Sequence, residues 1–327
     1  MGLLDMLFGD GKKSARSLPH SQPDADVSFS GRFMRIRSNG FFGEFTSSPS
    51  QEWVLAWRDA TSDGSRGGHR ESGEGAYLLF NTLQKIVVLQ GDIERPNEGH
   101  VANNGIFSIE DWRFGDELSS SFFVIGADGQ MLVNKSLAAN IINSGLSDNG
   151  QLAICQTAHA SQGKDGNKLI GFDVTSGKQL FSVSPATEWA TDYAFNESER
   201  RFGVIVNQIG TFWYDSEGFF LDNKNYLDAR LACDSFDVLL FAAEELLKSP
   251  ELNEHSAQAA LEAAQRARLL GADNDPGWKA LALKLQGIAY EFLKHDTNAL
   301  VAFEEALVLN PKLGIKRKIS ALKKAIG

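Results

Sequence analysis

Histidines and cysteines are the side chains of this 327-residue chain best equipped for metal or nucleophilic chemistry, and their spacing argues against both. His20, His69, His100, His159, His255 and His295 lie in mostly polar stretches. None has a partner at i+2 or i+4, the separations that set two imidazoles on one face of a strand or helix. Cys155 and Cys233 lie 78 residues apart, which is neither a metal spacing nor a disulfide framework, so a reducing, cytoplasmic compartment is expected. The Gly-rich stretch DGSRGGHRESGEG, residues 63–75, lacks the Gly-x-x-x-x-Gly-Lys-Ser/Thr pattern and a following helix, and is expected to be a surface loop. The acidic residues of SDNG and GADGQ fit turn chemistry without calcium. Gly-x-Ser-x-Gly, His-Glu-x-x-His and dinucleotide-binding Gly patterns are all missing from the sequence. These residues point to binding rather than catalysis, with no cofactor and no metal.

Charge narrows the partners. Net charge is −10, and the six basic residues from Lys312 onward leave about −16 on the first 311 residues. Such a body repels nucleic acid and anionic lipid. The opening MGLLDMLFGDGKKS has no basic n-region and no small-residue cleavage site, and Met6 stands where myristoylation wants Ser or Thr. Leu3, Leu4, Leu7 and Phe8 make one apolar turn, a weak membrane contact for residues 1–8 at best. Residues 9–26 are polar with two prolines, so residues 1–26 read as leader and linker.

From Val27 to about Ala229 the text is β. Of the chain's 22 Phe, 17 fall here, with five of its six Trp, and aromatic enrichment favours half-buried strands. Turn dipeptides punctuate the runs: Asp128-Gly129, Asn149-Gly150, Ser176-Gly177 and Glu217-Gly218. Larger units recur. NIINSGLSDNGQLAICQTAHASQGKDGNKLIGFDVTSGKQLFSV, residues 140–183, is echoed by residues 188–222 and 99–137, and by a longer first unit. Each reads as a four-stranded meander, and four in series signal propeller-type repetition.

The stretch LSDNGQLAI…KLIGFDVTSGKQLF resembles a WD40-type or quinoprotein-type blade, and the resemblance covers roughly 180 residues. Gly99-His100 is present, but the Trp-Asp dipeptide of true WD40 blades occurs nowhere. The resemblance implies a β-propeller-like domain over residues 27–229 with about four blades. GRFMRIRSNG, residues 31–40, is then expected as an extra outer strand closing the ring with the last β segment. If the sheet stays open, its terminal edges need a cover.

After Leu231 the period changes to 3.6. Phe236, Leu239, Leu240, Ala243 and Leu247 share one helical face, and a second helix ends at Gly271. Asp275 and Pro276 cap a third, Asp296 or Thr297 starts a fourth, and KRKISALKKAIG gives a fifth with Ile315, Ile319, Leu322 and Ile326 in a stripe. Gly287, Tyr290, Ala299, Phe303, Ala306 and Pro311 stand at the spacing of the tetratricopeptide (TPR) repeat, which residues 280–313 resemble. The helices before it resemble a divergent repeat, and the basic last helix a cap. The expected fold class is therefore multidomain β plus α: antiparallel propeller-like repeats, then a short TPR-like helical bundle over residues 230–327.

The resemblance implies where a partner sits, because TPR stacks hold peptides or helices along the inner face of each first helix. On the third helix that face includes Leu281, Lys284, Ile288, Glu291 and Phe292. Lys284 stands where carboxylate-gripping members carry Lys. Their Asn one turn later is Ile288 here, which argues for an apolar groove. The expected function is a non-catalytic scaffold or adaptor binding protein partners, with a homo-oligomer or hetero-complex open. The alternative is a propeller-type hydrolase or lyase with a helical docking domain, its catalytic residues gathered from distant loops.

Overall fold

A computed structural model describes residues 27–59, 74–113, 118–160 and 164–327, with the backbone of 16–17. The rest of the leader and most of the Gly-rich stretch, residues 60–73, lie outside the described residues. The chain divides into two compact units, the second beginning at Asp222 and including Gln208–Gly210.

The first unit holds four antiparallel sheets in sequence order. Sheet one has seven strands: β1 (Arg16–Ser17), β2 (Val27–Ser30), β3 (Phe33–Ile36), β4 (Phe41–Ser47), β5 (Trp53–Arg58), β6 (Gly75–Asn81) and β7 (Ile86–Ile93), ordered β1-β7-β6-β5-β4-β3-β2. Sheet two runs through β8 (Pro96–Val101), β9 (Phe107–Asp111), β10 (Ser120–Ile125) and β11 (Met131–Leu137). Sheet three runs through β12 (Ile141–Leu146), β13 (Leu152–Thr157), β14 (Leu169–Asp173) and β15 (Lys178–Val183). Sheet four has β16 (Asp192–Asn196), β17 (Arg201–Val206) and β18 (Gly210–Tyr214). The chain turns at the expected dipeptides, but the loops are longer than two residues: Ile125 pairs with Met131 and Asp173 with Lys178. The Gly129 and Gly177 amides donate back to the Gly126 and Val174 carbonyls, and Gly129 (φ 84°) and Gly177 (φ 68°) take the left-handed backbone.

Apolar faces join successive sheets. Leu55, Trp57, Tyr77, Leu79 and Leu89 of sheet one pack on Val101, Phe107, Ile109 and Ile125 of sheet two. Phe122, Val124 and Val133 meet Ala153, Cys155, Ile170 and Phe172 across sheets two and three, with the Phe122 and Phe172 rings stacked 5.5 Å apart. Phe181 of sheet three meets Phe202 of sheet four edge-on at 5.1 Å. Polar stitches repeat with the sheets. The Ser50 amide donates to Asn103 Oδ1 at 2.7 Å, Asn104 Nδ2 to the Asn149 carbonyl at 2.8 Å, and Asn149 Nδ2 to Glu197 Oε2 at 2.8 Å. Thus each sheet's turn is tied to the turn of the next. This is the tertiary meaning of the recurring Ser-Asp-Asn-Gly-type text.

Two expectations are corrected here. Residues 31–40 do not close a ring: β3 lies between β2 and β4, and Met34 and Ile36 join an apolar cluster within sheet one. Uniform four-stranded meanders are also not found. Sheet one carries three extra strands. Sheet four has three, with Phe220 only bridging Tyr214 as a rudimentary fourth.

The second unit has six α-helices: α1 (Asn223–Ala232), α2 (Phe236–Lys248), α3 (Glu254–Leu269), α4 (Pro276–Phe292), α5 (Asp296–Leu309) and α6 (Lys316–Ile326). The β pattern read to about Ala229 therefore stops earlier, because α1 occupies residues 223–232. Its text NKNYLDARLA buries only Tyr226 and Arg230, so it lacks the apolar stripe that announces a helix. The other helices follow local signals. Asp275 Oδ1 accepts from the amides of Gly277 and Trp278 at 2.8 and 3.0 Å, with Pro276 at the first helical position. Asp275→Ala should cost about 1 kcal/mol, read as a lower urea midpoint of the helical signal. Asn253 and Ser256 form a reciprocal capping box on α3.

Helix pairs pack through small residues. Ala260, Ala264 and Ala267 of α3 meet Leu239, Leu240 and Ala243 of α2 and Ala282 and Leu285 of α4. Phe303, fully buried on α5, fills the space that Gly287 leaves on α4; a Cβ at 287 would stand 2.5 Å from its ring. Ile315, Ile319 and Leu322 place α6 against α4 and α5, whereas Ile326, expected in the same stripe, is exposed.

Candidate functional site

The five residues read as a partner-binding face all lie on α4 but do not share one environment. Leu281 packs, half-buried, against the α2–α3 cluster. Ile288 packs, also half-buried, against the α5–α6 cluster with Ile315, Ile319 and Leu322. Glu291 pairs with Lys318 of α6 at 2.5 Å. Lys284 is half-buried, and Phe292 at the helix end is 37% exposed. The cap helix thus engages the C-terminal half of the expected groove. Exposure there is left to Phe292.

Two aromatic residues missed in the sequence extend this surface. Trp278 stands one turn before Leu281 in the same stripe. It contacts Phe236 and Phe241 of α2, ring centroids 5.5 and 5.9 Å apart. Phe241 is 44% exposed and lies outside the α2 core stripe. An aromatic set off an amphipathic stripe was the signal available. Phe241 also lines an open cleft of about 600 Å3 with Leu227, Leu246 and Pro250, rimmed by Glu244, Glu245 and Lys248.

A second polar assembly lies in the first unit, on the first strands of sheets two to four and on β9. His100 of β8 pairs in register with Ser108 of β9, and Glu110 follows on the same face, opposite Ser144 of β12. Glu110 is fully buried. Burial, chiefly, pushes its carboxyl up to about 7, opposed by Ser144 and Asn97 and reinforced by Glu98. Asn97 Nδ2 donates to Glu110 Oε2 at 3.3 Å, while Oε1 has no hydrogen bond. His100 Nε2 and Ser108 Oγ are likewise buried without one. Burial lowers the His100 pKa, against the pull of Asp192 and a backbone hydrogen bond to Ser144.

The neighbouring charges are acidic. Glu98, at an exposed position but partly desolvated by its neighbours, and facing Asp192 and Glu44, has a raised pKa. Glu44 pairs with Arg32 at 3.0 Å. Tyr193 donates to Asn143 Oδ1 and is kept neutral mainly by burial. A cleft of about 670 Å3 opens beside these residues, lined by His100, Asp192, Tyr193, Asn149, Glu197 and Trp213. Among the described residues, no group of three or more His, Cys, Asp or Glu is placed to hold a metal ion. The expected absence of a clustered metal spacing left this assembly invisible, because its members come from strands joined only by the fold. Of the other histidines, His20 and His69 lie outside the described residues. No described helix is long and apolar enough to cross a membrane.

No family model matches the chain, and no curated protein matches it. Among solved structures it is similar to the C-terminal WD40 domain of Sif2, at 10% identity and a TM-score of 0.32, over 53% of this chain and 45% of that one. The chain thus spans less than half of that neighbour's length. The four antiparallel sheets themselves carry the fold class.

Proposed function

We propose that this chain is a non-catalytic interaction adaptor, in which a propeller-like β unit presents loops and a TPR-like helical unit holds a partner peptide or helix along α2 and α4. The observation that carries the reading is the exposed Phe241 ring, which lines a cleft rimmed by Glu244, Glu245 and Lys248 and also contacts the half-buried Trp278 of α4. Exposed aromatics in a charged rim are what a docked helix or peptide buries. Phe292 extends the surface by its exposed ring.

The TPR reading is supported by packing. Gly287 admits Phe303, Ala299 and Ala306 are fully buried, and Tyr290 Oη accepts from Gln265 Nε2 of α3 at 3.1 Å. In this reading residues 1–26 are leader, the β unit follows, and the helical unit begins near Asp222 rather than residue 230. Two free cysteines suit a cytoplasmic location. The hydrolase or lyase alternative has His100, Ser108, Ser144 and Glu110 to draw on. Neither serine hydroxyl hydrogen-bonds the imidazole, which supports reading the cluster as a binding feature rather than an activated nucleophile.

The test is affinity capture with the full chain. Because Ile288 packs against α6, its replacement would confound folding, so the informative variants are Phe241→Glu, Lys284→Glu and Phe292→Asp. Each is expected to keep the helical circular dichroism and to weaken partner capture about tenfold or more. Undiminished capture by all three would overturn the groove.

A further inference from the structure

Sheet one ends on an exposed strand. Its order places β2 outermost, hydrogen-bonded to β3 alone. Every second residue of such a strand turns its N–H and C=O away from its neighbour. Among the described residues, no backbone hydrogen bond reaches those outward groups of β2. Ser28, Phe29 and Ser30 are exposed, and Phe29 keeps 47% of its surface in water. A bare edge is a template for another strand unless charge or a cover blunts it.

The two faces beside this edge differ. Register sets Ser28 opposite Arg35 and Arg35 opposite Phe42, while Ser30 lies opposite Phe33 and Phe33 opposite Glu44. That face is cationic. Arg35 stands over the Phe42 ring at 4.8 Å, and Arg32 over the Phe33 ring at 5.3 Å. Arg32 pairs with Glu44 at 3.0 Å, but Arg35 and the adjoining Arg37, both exposed, have no carboxylate partner among the described residues. The opposite face is apolar. Val27 joins Met34, Ile36 and Phe41 there, and Phe29 tilts against Phe45 with ring centroids 4.9 Å apart.

These features select the occupant. A polypeptide strand supplies the alternating N–H and C=O groups that a strand edge demands, and a phosphate backbone or a lipid surface does not. Side chains of an added strand alternate between the two faces. One set meets Arg35 and Arg37, whose planar donors suit a carboxylate. The other set meets Phe29 and extends the apolar face. A second copy of β2 would instead bring its own arginines beside these, like charge against like.

We propose that the β2 edge is a docking site for an extended segment of a partner protein in which acidic and apolar residues alternate, added to sheet one as an eighth strand. Its acidic side chains lie on the Arg35 face and its apolar ones on the Phe29 face. This gives the β unit a binding surface of its own, which does not depend on the helical one.

The experiment is titration calorimetry of the full chain at low salt with the blocked peptide acetyl-Glu-Val-Glu-Val-Glu-amide. The Gln-Val-Gln-Val-Gln counterpart keeps the pattern without the charge. The Glu-Glu-Glu-Val-Val counterpart keeps the charge but puts Glu and Val on both faces. The alternating acidic peptide is expected to bind more tightly than either, by at least about tenfold over the Gln peptide. Its binding should also slow amide hydrogen exchange across Val27–Ser30, which charge attraction alone would not do. The double variant Arg35→Gln/Arg37→Gln should erase the preference over the Gln peptide while leaving circular dichroism unchanged. Equal affinities for the three peptides, unaltered exchange across Val27–Ser30, or a preference that survives in the double variant would overturn the proposal. Phe241→Glu separates the two surfaces: it should lose helical-surface partners and bind the peptide as the parent does. Loss of the peptide preference in Phe241→Glu would count against this edge.

Discussion

Gly287→Val is expected to destabilise the helical unit by about 3 kcal/mol, seen as a lower urea midpoint of the helical circular dichroism. A Cβ at 287 would stand 2.5 Å from Cδ1 and Cε1 of Phe303. That ring has nowhere to go: it is fully buried among Leu283, Ala299, Ala306 and Ile315. Replacing a mid-helix Gly normally stabilises by about 0.5–1 kcal/mol through propensity, so the sign of the result is diagnostic. Overpacking must exceed that gain for the variant to be destabilised. Phe303→Ala alone should cost about 4 kcal/mol by leaving a cavity. Together the two changes should cost at least about 1 kcal/mol less than their sum, because each relieves the other. Additive costs, or a stabilised Gly287→Val, would show that the two helices are not held at this distance by the Gly–Phe contact.

Glu110→Gln should change stability in a pH-dependent way. The folded carboxyl has its pKa raised from 4.5 to about 7, mainly by burial. Below pH 4.5 it is protonated in both folded and unfolded chains, and nothing is lost. As pH rises through 4.5 the unfolded chain ionises while the folded one retains its proton. The native state then binds more protons, so stability falls with rising pH until the folded group also titrates near 7. The accumulated loss is about 3 kcal/mol. Gln keeps the acceptor for Asn97 and cannot ionise, so it escapes that loss. Urea unfolding of both proteins at acid and at mildly alkaline pH should therefore show a gap that moves in favour of Gln by about 3 kcal/mol. Glu98 and His100 titrate nearby but are common to both proteins, and their contributions largely cancel in the difference. A gap independent of pH would mean that Glu110 is solvated when the chain is folded.

These two sites differ in how visible they were in the sequence. Gly287 and Phe303 sit 16 residues apart in one helical hairpin, and their contact follows from the periodicity of two adjacent helices. Glu110 lies in FSIED, a strand whose five residues are all buried, and nothing local marks its carboxyl as unpartnered. Its neighbours Ser144 and Asp192 arrive from other sheets. Cys155, plain by spacing as a non-ligand, proves to be a fully buried apolar contact whose thiol burial pushes up.

By itself the sequence determined the elements that local energetics control. The left-handed turn at Gly177, the cap at Asp275 and the close approach at Gly287 each depend on a few neighbouring bonds, and so does the switch from period 2 to period 3.6. Tertiary structure decided the rest. It added β2 and β3 to sheet one, and it made a helix of NKNYLDARLA, which has no stripe of its own. It turned Ile288 toward α6, and it brought His100, Asp192 and Trp213 to one cleft. Those outcomes depend on which apolar faces meet and which polar groups lose water when they do. That is a property of pairs of surfaces distant in the chain, and no window along one strand or helix contains it.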